Sequence, residues 1–243
     1  MEERQLSKNS IDLFILRFDL LLDKQFDYGI FIKALSKYFD RTEKRMQTNF
    51  EVKFTSDKSE LNKVEDFDYV LTNDEKGFSM TFSKIQNSFW FETRNYVNRD
   101  TYMKLLTEVL KEAQSLNLNL AARRIGMRFI NKFNCLNPKL ISKIFNSVIS
   151  KNLKQRLNQN NISRIICQEE FNIENCKIKV QYGVPNKFYP AIINNYDLLL
   201  DIDCYIDNIH ELKLWTEAIE NLNHSAYNAF LQNINPTFIN SLK

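Results

Sequence analysis

The chain has 243 residues, of which 44% are hydrophobic and 26% are charged, and its formal net charge is +3. Such a chain can bury a substantial core, and its composition excludes an intrinsically disordered protein. The basic excess is too small to indicate nucleic-acid binding by itself.

Hydrophobic periodicity divides the chain into strands that alternate every second residue and helices with apolar residues three and four apart. In chain order it predicts a strand over 11–22, a helix over 28–39, a strand over 49–54, an exposed polar loop over 55–66, and strands over 67–74, 77–84 and 88–96. It then predicts a helix over 101–116 with Asp100 as its N-cap, a long strand over 121–133, a helix over 138–157, strands over 164–173, 176–184 and 196–207, and a helix from about 208 past 230.

These elements predict an α+β fold, because strands in antiparallel series are interrupted by isolated helices rather than alternating with them. We expect a large antiparallel sheet with helices packed on it and a closing C-terminal helix. No repeat or low-complexity linker divides the chain, so we expect one domain over 1–243. The alternative is a pair of lobes over 1–136 and 137–243.

The scarcity of glycine argues against nucleotide binding through a phosphate loop. Only four glycines occur, each roughly 50 residues from the next, whereas such loops need several close together. The four cysteines form no CxxC pair, and His210 and His224 are too far apart for an HExxH-type pair. The sequence therefore predicts no cofactor and no zinc site.

The N-terminal residues are polar and mixed in charge, unlike a signal peptide. The longest apolar run, which begins at Phe14, is interrupted by Arg17 and Asp19 and cannot span a membrane. We therefore expect a soluble cytoplasmic protein with reduced cysteines and no membrane contact.

The stretch AARRIGMRFINKF, over 121–133, crowds three arginines around a single glycine. Strand alternation divides its residues between two faces, with Arg123, Ile125, Met127 and Phe129 on one and Arg124, Gly126, Arg128 and Ile130 on the other. Gly126 has no side chain, so the guanidinium groups of Arg124 and Arg128 can converge above it on a carboxylate or phosphate.

The anion bound by these arginines is either an external ligand or the internal pair Asp201 and Asp203, which share one face of a later strand. We favour the internal pairing, because buried carboxylates need such partners. The arginines are then part of a structural ion network rather than a ligand site.

Three motifs follow one another along the chain: RIGMRFIN over 124–131, LLDID over 199–203, and LNHSAYNAF over 222–230. In this order and spacing they resemble a sporadically distributed family of uncharacterised bacterial proteins, marked by an RIGLRYIN-like strand, an LLDID strand and a closing helix. The match covers roughly Gly77 to the C-terminus. The resemblance implies a bacterial, cytosolic protein with a patchy distribution like that of mobile or defence-associated genes, and it implies no particular reaction.

Asp201 and Asp203, with Asp197 and Asp207 at the same parity, also match the pattern of a two-metal site for phosphoryl chemistry. Nucleotidyltransferases with such a pair also need a glycine-containing phosphate loop, and nothing suitable precedes this strand. A Mg²⁺-dependent nuclease or nucleotidyltransferase using Asp201 and Asp203 is therefore the alternative function.

Glu51 and Lys53 match half of a restriction-type nuclease signature, in which the glutamate binds metal and the lysine orients water. The acidic residue that should precede them at a strand end is missing, because Asp40 follows a predicted helix. We interpret this triplet as a chance match in a lysine-rich strand.

His224 and a group of three aromatic residues are interpreted as structural. His224 falls in the closing helix, where a histidine is usually partly buried and hydrogen-bonded. Trp90 lies between Phe89 and Phe91 in a predicted strand, and core packing is favoured over base stacking for all three.

No complete catalytic constellation occurs, and the GxSxG nucleophile motif is absent. The sequence therefore favours a non-enzymatic binding or regulatory protein, as in a bacterial defence or toxin-neutralising gene pair. An unidentified protein partner is expected, homo-oligomerisation is left open, and nucleic acid is disfavoured. The candidate anion or ion-network site consists of Arg124, Arg128, Asp201, Asp203 and His224.

Overall fold

A computed structural model describes residues 10–21, 27–54, 58–116, 120–135, 137–159, 161–207 and 210–241. Within these ranges, ten strands form one antiparallel sheet. Their bounds are β1 Ile11–Leu21, β2 Arg41–Phe54, β3 Ser59–Asn73, β4 Phe78–Ser83, β5 Ser88–Thr93, β6 Ala121–Phe133, β7 Ile165–Ile173, β8 Cys176–Val184, β9 Leu198–Ile206 and β10 His210–Glu211. The strands lie in the order β2-β3-β4-β5-β1-β6-β9-β8-β7, and β10 pairs with one end of β6.

The described residues also form six α-helices and three short 3-10 turns. The helices are α1 Tyr28–Leu35, α2 Arg99–Ser115, α3 Ile141–Ile144, α4 Ser147–Leu157, α5 Trp215–Asn233 and α6 Pro236–Ser241. The α+β fold, the large antiparallel sheet and the packing of a C-terminal helix on it are therefore confirmed.

The helices pack on one face of the sheet because that face carries the apolar half of each alternating strand. The pairs that join helix to strand are Phe31 with Phe82, Tyr102 with Phe14, Asn152 with Tyr182, Trp215 with Phe18 and Phe238 with Phe133. Ile125 and Met127 of β6 lie in this core and are fully buried. The polar half of each strand faces the other way, and that surface is called the open face below.

The sheet is continuous across the position where two lobes were considered. β6, which precedes residue 136, pairs with β9, which follows it. The hydrophobic core likewise joins residues from both parts of the chain. Among the described helices, none has the length and apolar character needed to cross a membrane.

The prediction of an exposed loop over 55–66 is wrong for residues 59–66, which belong to β3. They pair with β2 in an antiparallel ladder that runs from Arg41 opposite Thr72 to Phe54 opposite Ser59. Much of this hairpin lies beyond the shorter strand β4, so both of its faces meet water, and residues 59–66 lack the regular alternation that marks a half-buried strand. Positions 55–57 of the predicted loop lie outside the described residues.

The single helix predicted over 138–157 is in fact interrupted. Phe145 has extended backbone and forms an isolated bridge with Ile234, and Asn146 then caps a new helix by accepting from the amide of Ile149. The N-cap of α2 was also misplaced: Asn98 accepts from the Thr101 amide, and Asp100 already lies in the first turn. The final helix begins at Trp215 rather than near 208, after β10 and a 3-10 turn.

Candidate functional site

The site lies on the open face, where β1, β6 and β9 run side by side. Gly126 of β6 stands opposite Arg17 of β1 on one side and Tyr205 of β9 on the other. One step along, Arg128 stands between Ile15 and Asp203. Strand alternation turns all of these side chains to the same face, as the sequence predicted for Arg124 and Arg128.

These residues surround a cleft of about 370 Å³. It is lined by Arg124, Gly126 and Arg128 of β6, Ile15 and Arg17 of β1, Trp90 of β5 and Asp203 of β9. The cleft is open over Gly126 because that residue has no side chain. A methyl group added there would make only ordinary contact, with the Tyr205 Cβ as its nearest neighbour at 3.5 Å.

Arg128 forms a bidentate ion pair with Asp201. Its Nε donates to Oδ1 at 2.9 Å and its Nη2 donates to Oδ2 at 2.6 Å. The Asp201 side chain is 5% exposed, whereas that of Arg128 is 41% exposed. Hydrogen bonding to Asp201 raises the pKa of Arg128 further, so the guanidinium stays charged. One arginine of the predicted network is therefore held by one of its two predicted carboxylates.

Arg124 does not pair with Asp201 or Asp203, contrary to the internal network that the sequence favoured. Its guanidinium lies over the ring of Tyr205, 4.0 Å from the centroid, and its Nε is 3.8 Å from Oδ1 of Asp207. The reason is its position on β6: Arg124 is opposite Asp19 and lies near the far end of β9. Its contacts are a cation–π interaction and a long, half-exposed ion pair.

Asp203 lines the cleft without a hydrogen bond or ion pair to any described residue. Burial raises its pKa above the ordinary aspartate value, although the nearby charges of Arg124 and Arg128 act in the opposite direction. Asp203 is thus a desolvated acceptor facing the cleft, rather than the second half of a paired carboxylate set.

We expect Asp203→Asn to stabilise the protein at neutral pH. Because the folded-state pKa of Asp203 is raised above its ordinary 3.8, the folded protein binds this proton more tightly than the unfolded chain. Ionisation of Asp203 therefore lowers the stability of the protein as the pH rises from the unfolded-state pKa towards the folded-state pKa. Below the unfolded-state pKa this loss is absent. The melting-temperature gain of the variant should grow as the pH rises above 3.8, and it should level off once Asp203 is fully ionised in the folded protein.

Asp201→Asn serves as the control for this measurement, since it breaks the bidentate pair and should destabilise the protein at neutral pH. A neutral-pH loss of stability in Asp203→Asn, equal to that of Asp201→Asn, would show that Asp203 has a partner of its own.

Arg17 and Trp90 contribute to the cleft, although the sequence pattern did not place them in the site. Arg17 donates from Nε to Oδ1 of Asp19 at 2.7 Å and from Nη2 to Gln86 at 3.0 Å. Its guanidinium also lies 5.6 Å from the Trp90 ring centroid. The core assignment is wrong for Trp90, which faces the cleft, and right for Phe89, which is fully buried. The alternation of Arg17 and Asp19 within an apolar strand was the available signal.

Two other predicted positions lie elsewhere. His224 is exposed on α5, a helix that packs on the opposite face of the sheet, so it is neither part of the cleft nor partly buried. Arg123 is exposed instead of sharing the core face of Ile125, because a register shift between Asp19 and Leu20 places Ala122 in the core.

The proposed two-metal pattern is only partly assembled. Asp201 and Asp203 share the open face, but both oxygens of Asp201 accept from Arg128. Asp207 bonds Lys177, and Asp197 accepts from Asn195. The described part of the chain contains no group of three or more His, Cys, Asp or Glu side chains placed to hold a metal ion.

The nuclease triplet falls in β2, and the side chains of Glu51 and Lys53 lie outside the described residues. The cysteines at 135, 167, 176 and 204 are all free thiols, and three of them are buried.

Comparison of the chain with protein-family models, with curated proteins and with solved structures found no match.

Proposed function

We propose that the protein is a non-enzymatic binding protein that recognises an acidic group of its ligand in the Gly126 cleft. The observation that supports this proposal is the convergence of Arg17, Arg124 and Arg128 around a 370 Å³ cleft on the open face. Their side chains are 37–41% exposed, so they are held in place and still reach solvent.

Internal pairing does not use up these arginines. Among the described residues, the hydrogen bonds of Arg17 and Arg128 use Nε and Nη2, which leaves Nη1 of each to donate to a ligand. The internal carboxylates orient the guanidinium groups, and such preorganised donors suit a carboxylate or phosphate. Asp203 would accept a hydrogen bond from a donor beside that acidic group.

The cellular setting is part of the same proposal. We place the protein in the bacterial cytoplasm, in a system of the defence or toxin-neutralising kind, on the basis of its resemblance to a patchily distributed bacterial family. A protein partner that presents an acidic side chain suits such a regulatory role. Metal-dependent catalysis is the weaker candidate, because a metal at Asp201 would have to displace the Arg128 guanidinium.

The test introduces side chains of different size at Gly126, which lines the cleft. Gly126→Leu extends a side chain from the open face of β6 into the cleft, whereas Gly126→Ala adds only a methyl group that makes ordinary contact. Calorimetric titrations would use inorganic phosphate and a glutamate-rich peptide, which separate a phosphate ligand from an acidic protein segment. Gly126→Leu should weaken the binding that the wild type shows by at least about tenfold, a loss of roughly 1.4 kcal/mol.

Gly126→Ala should bind within a few-fold of wild type, and both variants should melt near the wild-type temperature. Equal binding by wild type and Gly126→Leu would place the ligand elsewhere. Failure of both probes to bind the wild type would contradict an acidic-group site.

A further inference from the structure

The long β2–β3 hairpin provides an exposed apolar surface that the proposed ligand site does not use. β3 pairs with β4 only over 68–73, whereas β2 and β3 pair along the whole of 41–54 and 59–72. The segments 46–54 and 59–67 therefore project past the neighbouring strand, and together they are called the arm. An isolated two-stranded ribbon is marginally stable in water unless something packs against it.

One face of the arm carries five large apolar side chains. Met46 stands opposite Phe67 and Val52 opposite Leu61, and Phe50 lies between these pairs on the same face. The exposed fractions are 64% for Met46, 44% for Phe67, 50% for Val52, 65% for Leu61 and 63% for Phe50. This face continues the core face of the sheet, on which Leu71 of β3 is fully buried. A cluster of exposed large apolar side chains of this kind marks an interaction site.

The arm also has an open edge. β2 is the terminal strand of the sheet, so among the described residues only its β3 side is paired. It is 14 residues long and contains no proline. Proteins usually protect such edges with short strands, prolines, bulges or charged side chains. β2 carries charges but is long and has no proline, so its edge backbone can act as a template for another strand that complements those charges.

The sequence of β2 indicates that the strand added at this edge is β2 of a second copy of the chain. An antiparallel pairing of two β2 strands centred on Thr48 places Glu43 opposite position 53, a lysine, and Arg45 opposite position 51, a glutamate. The same pairing puts Met46 opposite Phe50, so the apolar faces of the two arms coincide. Each of these pairs occurs twice, because the arrangement is twofold symmetric.

Neighbouring registers lack this match. Centring the pairing on Gln47 places Glu43 opposite position 51, which is also acidic. Centring it on Asn49 places Arg45 opposite position 53, which is also basic. When the twofold axis instead passes between two residues, the apolar face of one arm lies on the same side of the joined sheet as the polar face of the other arm. Charge complementarity and face matching therefore favour the register centred on Thr48 over its neighbours.

We propose that the protein forms a twofold dimer in which β2 adds antiparallel to β2 of a second copy, centred on Thr48. The pairing satisfies the free backbone groups of both edges and joins the two sheets into one. Arg45 and Glu43 are available for it, since their side chains are 60% and 43% exposed. Their contacts are surface ion pairs, which join Glu43 to Arg45 at 3.3 Å and to Arg41 at 3.7 Å.

The test is a charge exchange on the full chain, followed by sedimentation velocity over a range of concentrations. The wild type should reach twice the chain mass of 28.9 kDa. Arg45→Glu and Glu51→Arg should each place two like-charged pairs across the axis and raise the dimer dissociation constant by about tenfold or more. The double variant Arg45→Glu/Glu51→Arg restores opposite charges and should recover the dimer.

Two controls make the outcome specific to this register. Glu43→Lys with Lys53→Glu is an independent exchange that should give the same loss and recovery. Lys213→Glu makes the same charge change as Arg45→Glu on an exposed residue outside the arm, and it should leave the dimer unchanged. Melting curves check that each variant is folded.

Three results would overturn the proposal. One is a wild-type monomer at every concentration. Another is a dimer that single exchanges do not weaken, which would place the interface elsewhere. The third is the absence of recovery in both double variants, which would exclude the register centred on Thr48.

Discussion

Gly183→Ala is expected to lower the free energy of unfolding by more than about 4 kcal/mol, enough to leave little folded protein. Gly183 lies in β8 with a φ of +152°, a conformation that L side chains rarely adopt. A Cβ there would stand 2.0 Å from the carbonyl oxygen of Ile165 and 2.9 Å from its carbonyl carbon. Both atoms are backbone of the paired strand β7, so the clash cannot be relieved by turning a side chain.

Chemical denaturation of the purified variant, or its recovery in the soluble fraction, measures this effect. Gly126→Ala is the matched control, because it makes the same change on another strand of the same sheet with only ordinary contacts. It should unfold within about 1 kcal/mol of wild type. If Gly183→Ala were equally stable, β7 and β8 could separate at this point without cost, which the paired register does not allow.

Local sequence pattern was sufficient for much of the fold. β1, β6 and β8 begin and end close to their predicted bounds, since each alternates between a buried and a polar face. The predicted strands over 67–74 and 77–84 correspond to the end of β3 and to β4, and the φ of +67° at Gly77 explains the glycine in the turn between them. In these places, burial and backbone conformation are dictated by neighbours along the chain.

Errors arose where the deciding contact is distant in sequence. The bridge between Phe145 and Ile234 interrupts what is locally a good helical pattern. The ladder over 59–66 is held by pairing with β2 and not by burial, so it has no apolar period to detect. Neither partner can be identified from the segment itself.

The same distinction between local sequence pattern and distant contacts applies to the candidate site. The face shared by Arg124, Gly126 and Arg128 follows from alternation alone, as does the shared face of Asp201 and Asp203. Which carboxylate meets which arginine depends on the register of β6 against β9. That register places Arg128 directly opposite Asp203, yet its long side chain reaches the diagonal neighbour Asp201. Arg17 and Trp90 join the cleft only because the sheet order places β1 beside β6 and β5 on the other side of β1.

Arg128→Ala is expected to destabilise the protein by about 2–3 kcal/mol, since it leaves the ionised Asp201 buried without its two donors. This is below the cost of breaking a fully buried pair, because water reaches the half-exposed Arg128 side of the contact. For a chain of this length the loss corresponds to a melting temperature lower by roughly 5–10 °C. Asp201→Ala should cost less, because the Arg128 guanidinium left behind can be solvated.

A double-mutant cycle separates this pair from its surroundings. Arg128→Ala/Asp201→Ala should lose less stability than the sum of the single variants, with a coupling of about 1–3 kcal/mol. The parallel cycle of Arg128 with Asp203 should give a smaller coupling, since these two residues interact through their charges without a hydrogen bond. The two aspartates lie two positions apart on one strand and share a face, so the comparison isolates the bidentate contact from the general charge of the cleft. Stronger coupling to Asp203 than to Asp201 would contradict the pairing, and would mean that the arginine closes over the cleft instead of flanking it.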